Sequence, residues 1–363
     1  MKNLKLFIPG PTHVPNDILK AMAKNQIGHR TPEVSELIKE IKKGIKNLLY
    51  TDNKILLTSN PATALWEMAI VNSVSDKILH AVNGAFSSKW AKISNICNHK
   101  SDIIDYKWGD GIKVEDIDRM LSSGQFDTFA MVHNETSTGA MSHLKDISNL
   151  LKSKYPDIIW LVDAVSSMAG VKIEVDKLGI DFLLASTQKA WGLPAGFSIC
   201  SVSDKVYHKS KKLTNKGYYF DLMTYEKSYL KDQTPTTPSI SHLFGLKYVL
   251  SKIFTEGIDN RWERHLKMAK HTRNWALNHE QGLFPEQGFE SSTLTCIKNN
   301  QNWNIDNLNE KLIERGFRMD RGYGPLRGKA FRIAHMGNIY QNDLDEYLDS
   351  IDEIIKNRDK YGI

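Results

Sequence analysis

The sequence predicts an α/β protein: a mostly parallel sheet of seven strands flanked by helices, followed by a smaller C-terminal α+β domain. Seven short apolar runs recur through the first two thirds of the chain, each about the length of a buried strand, and helical stretches separate most of them. From about Gly257 this alternation gives way to a different order of elements. Strand, helix, strand repetition implies parallel strands covered on both faces, and in such sheets ligands bind at the carboxyl ends of the strands.

Each element has its own signal. Pro32 to Leu49 carries Val34, Leu37, Ile38, Ile41, Ile45 and Leu48 at three-to-four spacing, the pattern of an amphipathic helix. The strand-like runs are KILLTS, KILHAV, DIIDY, FAMVH, IIWLVDAV, DFLLAS and FSICSV. Helices are expected over Ala62 to Val74, Ser87 to Asn98 and Val114 to Ser123. The C-terminal part reads as a long polar helix from Asp259 to about His279, a strand at STLTCI, and a helix from Ile305 to Arg315. Two strand-like runs, FRMDR and AFRIAHM, precede a last helix with Leu344, Leu348, Ile351 and Ile355 on one face. We expect an N-terminal arm (1–16), a large domain (17–255) and a small domain (256–363), with no internal repeat.

Composition narrows the function. Of 363 residues, 41% are hydrophobic and 25% charged, and no apolar run approaches the roughly 18–20 residues of a membrane span. The opening MKNLKLFIPGPTHVP lacks the features of a signal peptide, so a cytoplasmic address is expected. The net charge of +6 comes from basic residues interspersed with acidic ones, as in RWERHLKMAKHTRNW, which argues against a nucleic-acid partner. Cys97, Cys200 and Cys296 are widely spaced and show neither a disulfide framework nor a zinc pattern; all three are expected as buried small hydrophobes. No metal site is indicated.

Lys189 follows DFLLAS, at the end of an expected strand. Apolar walls lower a lysine's pKa and leave more of the neutral amine that forms imines, although a loop lysine reaching solvent fits the segment equally. Asp163, between Val162 and Ala164 after IIWL, must lie buried or at the sheet rim, where a carboxylate needs a partner; a helix cap is the common alternative. Together the two fit pyridoxal phosphate chemistry, which needs a lysine for the aldehyde and a carboxylate that keeps the pyridine nitrogen protonated. In TSNPATALWE a strand runs into a helix, with Asn60 as N-cap, Pro61 in the first turn, and Ala62 and Thr63 offering phosphate contacts. Phe86 in NGAFSSKW can stack on a planar ring.

With these residues assembled, the sequence resembles the class V, fold type I pyridoxal phosphate aminotransferases, the group that includes serine-pyruvate, alanine-glyoxylate, aminoethylphosphonate and phosphoserine aminotransferases. FIPGPTHVP, IGHRTPEV, HNETSTG, VDAVSS, ASTQKAWGLPAG, TPTTPS and FRIAHMG carry the resemblance in order along nearly the whole chain. It implies pyridoxal 5′-phosphate as cofactor, Lys189 as the Schiff-base lysine, Gln188 beside it, and Asp163 as partner of the pyridinium. It further implies Phe86 as the stacking residue, Thr136 as a hydroxyl near the phenolic oxygen, and Ala62 and Thr63 at the phosphate. Thr237 is implied to reach the phosphate of a neighbouring subunit, which makes a homodimer the expected assembly. Arg332 in AFRIAHMG is the implied clamp for the substrate carboxylate, though an apolar-flanked arginine also suits a structural ion pair. The implied reaction moves the amino group of a small L-amino acid of serine, alanine or phosphoserine type to a 2-oxo acid.

His29 and Arg30, with Arg321, Arg327 and Lys329, could receive a phosphorylated donor, which keeps a phosphoserine aminotransferase as the alternative. In relatives the phosphate loop is usually glycine-rich around a serine; here Pro61 removes one possible N–H contact. A lyase of the cysteine desulfurase or kynureninase type is the nearest rival. Desulfurases place histidines before the lysine and on the ring, and a nucleophilic cysteine in a late loop. Here those places hold Gln188 and Phe86, and Cys296 lies in a strand-like run.

Overall fold

The computed structural model describes residues 4–363. In chain order its strands are β1 (Lys5–Leu6), β2 (Lys54–Thr58), β3 (Lys77–Val82), β4 (Lys100–Asp105), β5 (Thr128–Val132), β6 (Asn134–Glu135), β7 (Ala140–Met141), β8 (Ile159–Asp163), β9 (Phe182–Ser186), β10 (Ser198–Val202), β11 (Gly282–Leu283), β12 (Leu294–Lys298), β13 (Phe317–Arg318) and β14 (Ala330–Ala334). Seven of them form the main sheet in the order β2-β10-β9-β8-β5-β3-β4. β10 is antiparallel to both its neighbours, and every pairing from β9 to β4 is parallel. This is the expected mostly parallel α/β sheet, with the seven expected runs as its strands.

Because strand side chains alternate between faces, β8 feeds two cores. Trp160 and Val162 enter one, Ile159 and Leu161 the other. Asp163 continues the second set and so faces the helix Ala62–Ser73. On the opposite face, the helix Pro32–Leu49 buries the six apolar residues its spacing predicts.

Most helix bounds differ from the expected ones by a residue or two. The helix expected from Ser87 begins at Ala85, because Ser87 Oγ turns back to accept from the amides of Asn83 and Gly84. FRMDR forms strand only at Phe317–Arg318, since Asp320 turns out of line to meet Arg332. The hairpin β6–β7 within HNETSTGAM and the short strands β1 and β11 had no periodic signal long enough to be expected. Cys200 and Cys296 are buried as expected, whereas Cys97 is only half-buried, because it caps the C-terminal end of the helix Ala85–Ile96 at the surface.

A third core gathers Met268, Trp275, Leu308, Phe331, Ile333 and Tyr347, and the N-terminal Phe7 belongs to it. β1 pairs in parallel with β13, Phe7 N donates to Arg318 O and its carbonyl accepts from Ala334 N, both at 3.0 Å. The Phe7 ring stacks on Tyr347 with centroids 4.0 Å apart. Residues 5–7 are thereby fastened to the C-terminal sheets before the chain crosses to β9. Among the described residues no helix is long and apolar enough to cross a membrane.

Phe7→Ala removes a fully buried ring, so a loss of about 3–5 kcal/mol is expected in urea or guanidinium unfolding. A loss under about 1 kcal/mol would mean that the N-terminal segment is not held as described.

Candidate active site

β8 and β9 are parallel neighbours, with Asp163 opposite Leu184. β9 ends at Ser186, and the chain then turns through Lys189, closed by Thr187, whose hydroxyl donates to Pro194 O at 2.7 Å. Gly192 makes this turn possible: it has φ +66°, and a Cβ there would lie 2.0 Å from Asn338 Nδ2. Lys189 Nζ donates to Pro9 O at 2.8 Å. A Cβ on Gly10 would stand 2.5 Å from the same nitrogen, so the N-terminal segment closes directly over the lysine.

Asp163 is 2% exposed. Its Oδ2 accepts from Trp66 Nε1 and its Oδ1 from Val165 N, each at 2.7 Å. Burial raises its pKa to about 7, further helped by the buried Glu135, while those two hydrogen bonds and Lys189 oppose the rise. A cation delivered to this carboxylate would restore its charge. Lys189 moves the other way: desolvation, then the Arg332 guanidinium, lower it to about 8, against the pull of Asp163, Asp320 and Glu135. Near neutral pH a useful fraction is therefore the free amine.

These groups line a cavity of about 250 Å³ together with Gly10, Thr63, Phe86, Thr136 and Gln188. This lies below the roughly 300–1,000 Å³ of drug-sized ligand sites and suits a small planar molecule. Two buried polar atoms of its lining, Ser186 Oγ and Gln188 Oε1, have no hydrogen-bond partner among the described residues. Such orphaned atoms are costly without a polar ligand. At one end the helix Ala62–Ser73 begins; its positive N-terminus brings the backbone of Ala62 and Thr63 to the cavity. The lining therefore fits pyridoxal phosphate: an anion site, an amine, a buried carboxylate and an aromatic face.

The cap of that helix departs from expectation. Pro61 occupies the N-cap position, and Asn60 is turned away: it accepts from Thr58 Oγ1 at 3.1 Å and donates to Tyr219 Oη at 3.3 Å. With proline at the cap, no side chain competes for the first amides.

Phe86 lies in the first turn of the helix Ala85–Ile96, whose start is held by Glu135. This fully buried carboxylate accepts from Phe86 N at 3.3 Å, Ser87 N at 2.9 Å and Ser137 Oγ at 2.6 Å. Thr136 hydrogen-bonds Ser166 through their hydroxyls. Trp66 and Glu135 are site residues that the sequence reading missed. An aromatic one turn beyond Ala62 and an acid amid small hydroxyl residues were the available signals.

Arg332 sits in β14 with its guanidinium paired to Asp320, Nε to Oδ1 at 2.8 Å and Nη2 to Oδ2 at 2.7 Å, while Nη1 donates to Thr136 O at 2.8 Å. The ion pair weighed for it in the sequence is thus present, beside the cavity. His29, Arg30 and Thr237 do not line this chain's cavity. Arg30 donates to the carbonyls of Thr234 and Pro235, which ties its loop to the segment carrying the exposed Thr237. Arg321 and Arg327 share Asp306, and Lys329 is exposed. A larger cleft, about 940 Å³ around His143, Lys152 and Lys172, lies apart from Lys189 and Asp163.

Comparison with known proteins agrees with this arrangement. The model of the family described as aminotransferase class-V matches residues 6–323. An uncharacterized aminotransferase of Methanocaldococcus jannaschii is 36% identical over 92% of this chain and 87% of its own. The serine–glyoxylate aminotransferase of Arabidopsis thaliana is 30% identical over 97% and 90%. The crystal structure of an alanine–glyoxylate aminotransferase from Nostoc sp. superposes with a TM-score of 0.92, at 25% identity, covering 98% of this chain and 96% of that one.

Two outcomes are expected. Between roughly pH 4 and 7 the folded cofactor-free chain keeps an Asp163 proton that the unfolded chain has lost, so stability falls as pH rises through that window. Asp163→Asn should flatten that slope in thermal unfolding, and an unaltered slope would contradict the raised pKa. Gly10→Ala should leave the fold intact but displace Lys189 Nζ, cutting the absorbance of bound pyridoxal phosphate at a fixed cofactor concentration. Normal uptake would show that the segment does not press on the lysine.

Proposed function

We propose, from the premise that this chain belongs to the class-V aminotransferases, that it moves the amino group of a small L-amino acid of serine or alanine type to a 2-oxo acid such as glyoxylate. The observation that carries the reading is one small cavity holding a desolvated lysine, a buried carboxylate and unpartnered polar atoms.

Pyridoxal 5′-phosphate, the cofactor of this family, supplies when bound an aldehyde for amines and a ring that accepts electrons from the donor's α-carbon. Ala62 and Thr63 would hold the phosphate. Asp163 would balance positive charge on the ring, Phe86 would offer it an aromatic face, and Thr136 and Gln188 would offer hydrogen bonds. Lys189 would anchor the cofactor, and as a neutral amine it would be the base that takes the proton from the donor's α-carbon. Arg332 grips the donor carboxylate. Trp66 and Val165 hold Asp163 in place, and Pro9 and Gly10 keep bulk water from Lys189.

The lyase alternative needs a nucleophilic thiol. Burial pushes Cys296, in β12 and outside the cavity lining, up to about 12, so its thiolate is scarce. A phosphoserine-type donor needs extra cations, and Arg321 and Arg327 are already paired with Asp306. We also propose a homodimer in which Thr237, His29 and Arg30 complete the site of the neighbouring subunit, and a division of the chain into the arm and two domains expected from sequence.

Lys189→Ala is expected to abolish turnover by at least about a thousandfold while leaving the melting temperature of the cofactor-free protein within a few degrees. Turnover at the normal rate would sink the mechanism. Light scattering should give twice the chain mass of 41.3 kDa; a monomer with full activity would refute the shared site.

A further inference from the structure

Asp320 has no part in the chemistry described above, yet it is paired with Arg332, the residue read as the grip for the donor carboxylate. Asp320 accepts from both Nε and Nη2 of Arg332, which is the edge of a guanidinium that matches a carboxylate. The loop that presents it is closely determined. Asp320 Oδ1 also accepts from Gly322 N at 2.9 Å, and Gly322 has φ +88° with no room for a Cβ, which would stand 2.4 Å from Ala330 O. Tyr323, next in the loop, packs against Phe86 with ring centroids 5.2 Å apart, so the loop lies over the cavity. Asp320 and Arg332 are near enough to Lys189 to act on its charge with opposite signs. Both side chains are mostly buried, at 14% and 6% exposure, so water screens the pair little.

We infer that Asp320 is a specificity-determining residue: its carboxylate cancels the charge of Arg332 and restricts the enzyme to donors with a single anionic group. The inference rests on the reading of Arg332 as the carboxylate clamp. A donor carboxylate meets the remaining N–H groups of Arg332 or takes Asp320's place on its fork, and in both cases the Asp320 charge stays in the same recess. A second carboxylate or a phosphate on the donor then meets a like charge. At an effective dielectric constant near 20, two like charges roughly 6 Å apart weaken binding on the order of a hundredfold.

The test compares holoenzymes using L-alanine and L-aspartate as donors. Asp320→Asn keeps the loop's hydrogen bond and removes the charge; the ratio of kcat/KM for aspartate over alanine should rise about tenfold or more. An unchanged or lower ratio overturns the inference. Should that variant fail to fold, inhibition of the unaltered holoenzyme decides: propionate should bind at least about tenfold more tightly than succinate, and equal or tighter binding of succinate overturns the inference. Arg332→Ala, run alongside, should raise KM for both donors. An unchanged KM there sinks the clamp reading itself, whatever the Asp320→Asn ratio does.

Discussion

Asp163 and Lys189 stand at the carboxyl ends of two adjacent parallel strands, in a sheet covered on both faces, and neither charge can be left there alone. The contacts around them follow from that constraint. The helix Ala62–Ser73 brings its indole to the carboxylate and its N-terminus to the cavity, so one element contributes twice to the lining. The N-terminal segment, fastened by Phe7 to the C-terminal core, places Pro9 O on the amine. Hydrogen bonding is left unfinished at Ser186 and Gln188, both in the cavity lining.

Two polar residues were legible because they stand at the ends of apolar strands, whereas the buried His80 within KILHAV was passed over. Asp163 after IIWL and Lys189 after DFLLAS conflict with burial, and that conflict is visible in a linear string. The division between two cores follows from the same runs, because a period of two assigns Trp160 and Ile159 to opposite faces, whereas the strand order was not legible there. Trp66 was not legible as a site residue, since an aromatic on a helix reads as core, and much of its surface is core. Glu135 belonged to a quoted motif, but its role depends on the start of the helix at Ala85, fifty residues earlier in the chain and two residues before the expected start. Asn60 was misread because a good cap residue next to proline leaves two ways to begin a helix, and tertiary contacts to Thr58 and Tyr219 chose between them.

The arginine shows a different limit. Arg332 was open to two readings, a clamp for substrate or a partner for a buried acid, and the fold shows the second while leaving the first as a proposal. Its partner lies twelve residues away across a loop that only a glycine at 322 can close. Pairing and recognition then become one electrostatic problem, because whatever neutralises the guanidinium also changes what it can select.

The central claim is that this cavity carries transamination at Lys189. The most direct measurement is the visible absorption of the purified holoenzyme while L-serine, L-alanine, L-phosphoserine, L-aspartate and L-glutamate are added one at a time, with no 2-oxo acid present. The account predicts that L-serine or L-alanine converts the pyridoxal absorption to that of the pyridoxamine form, with one equivalent of 2-oxo acid released per site. An absorption that persists while ammonia accumulates would contradict it and assign lyase chemistry instead.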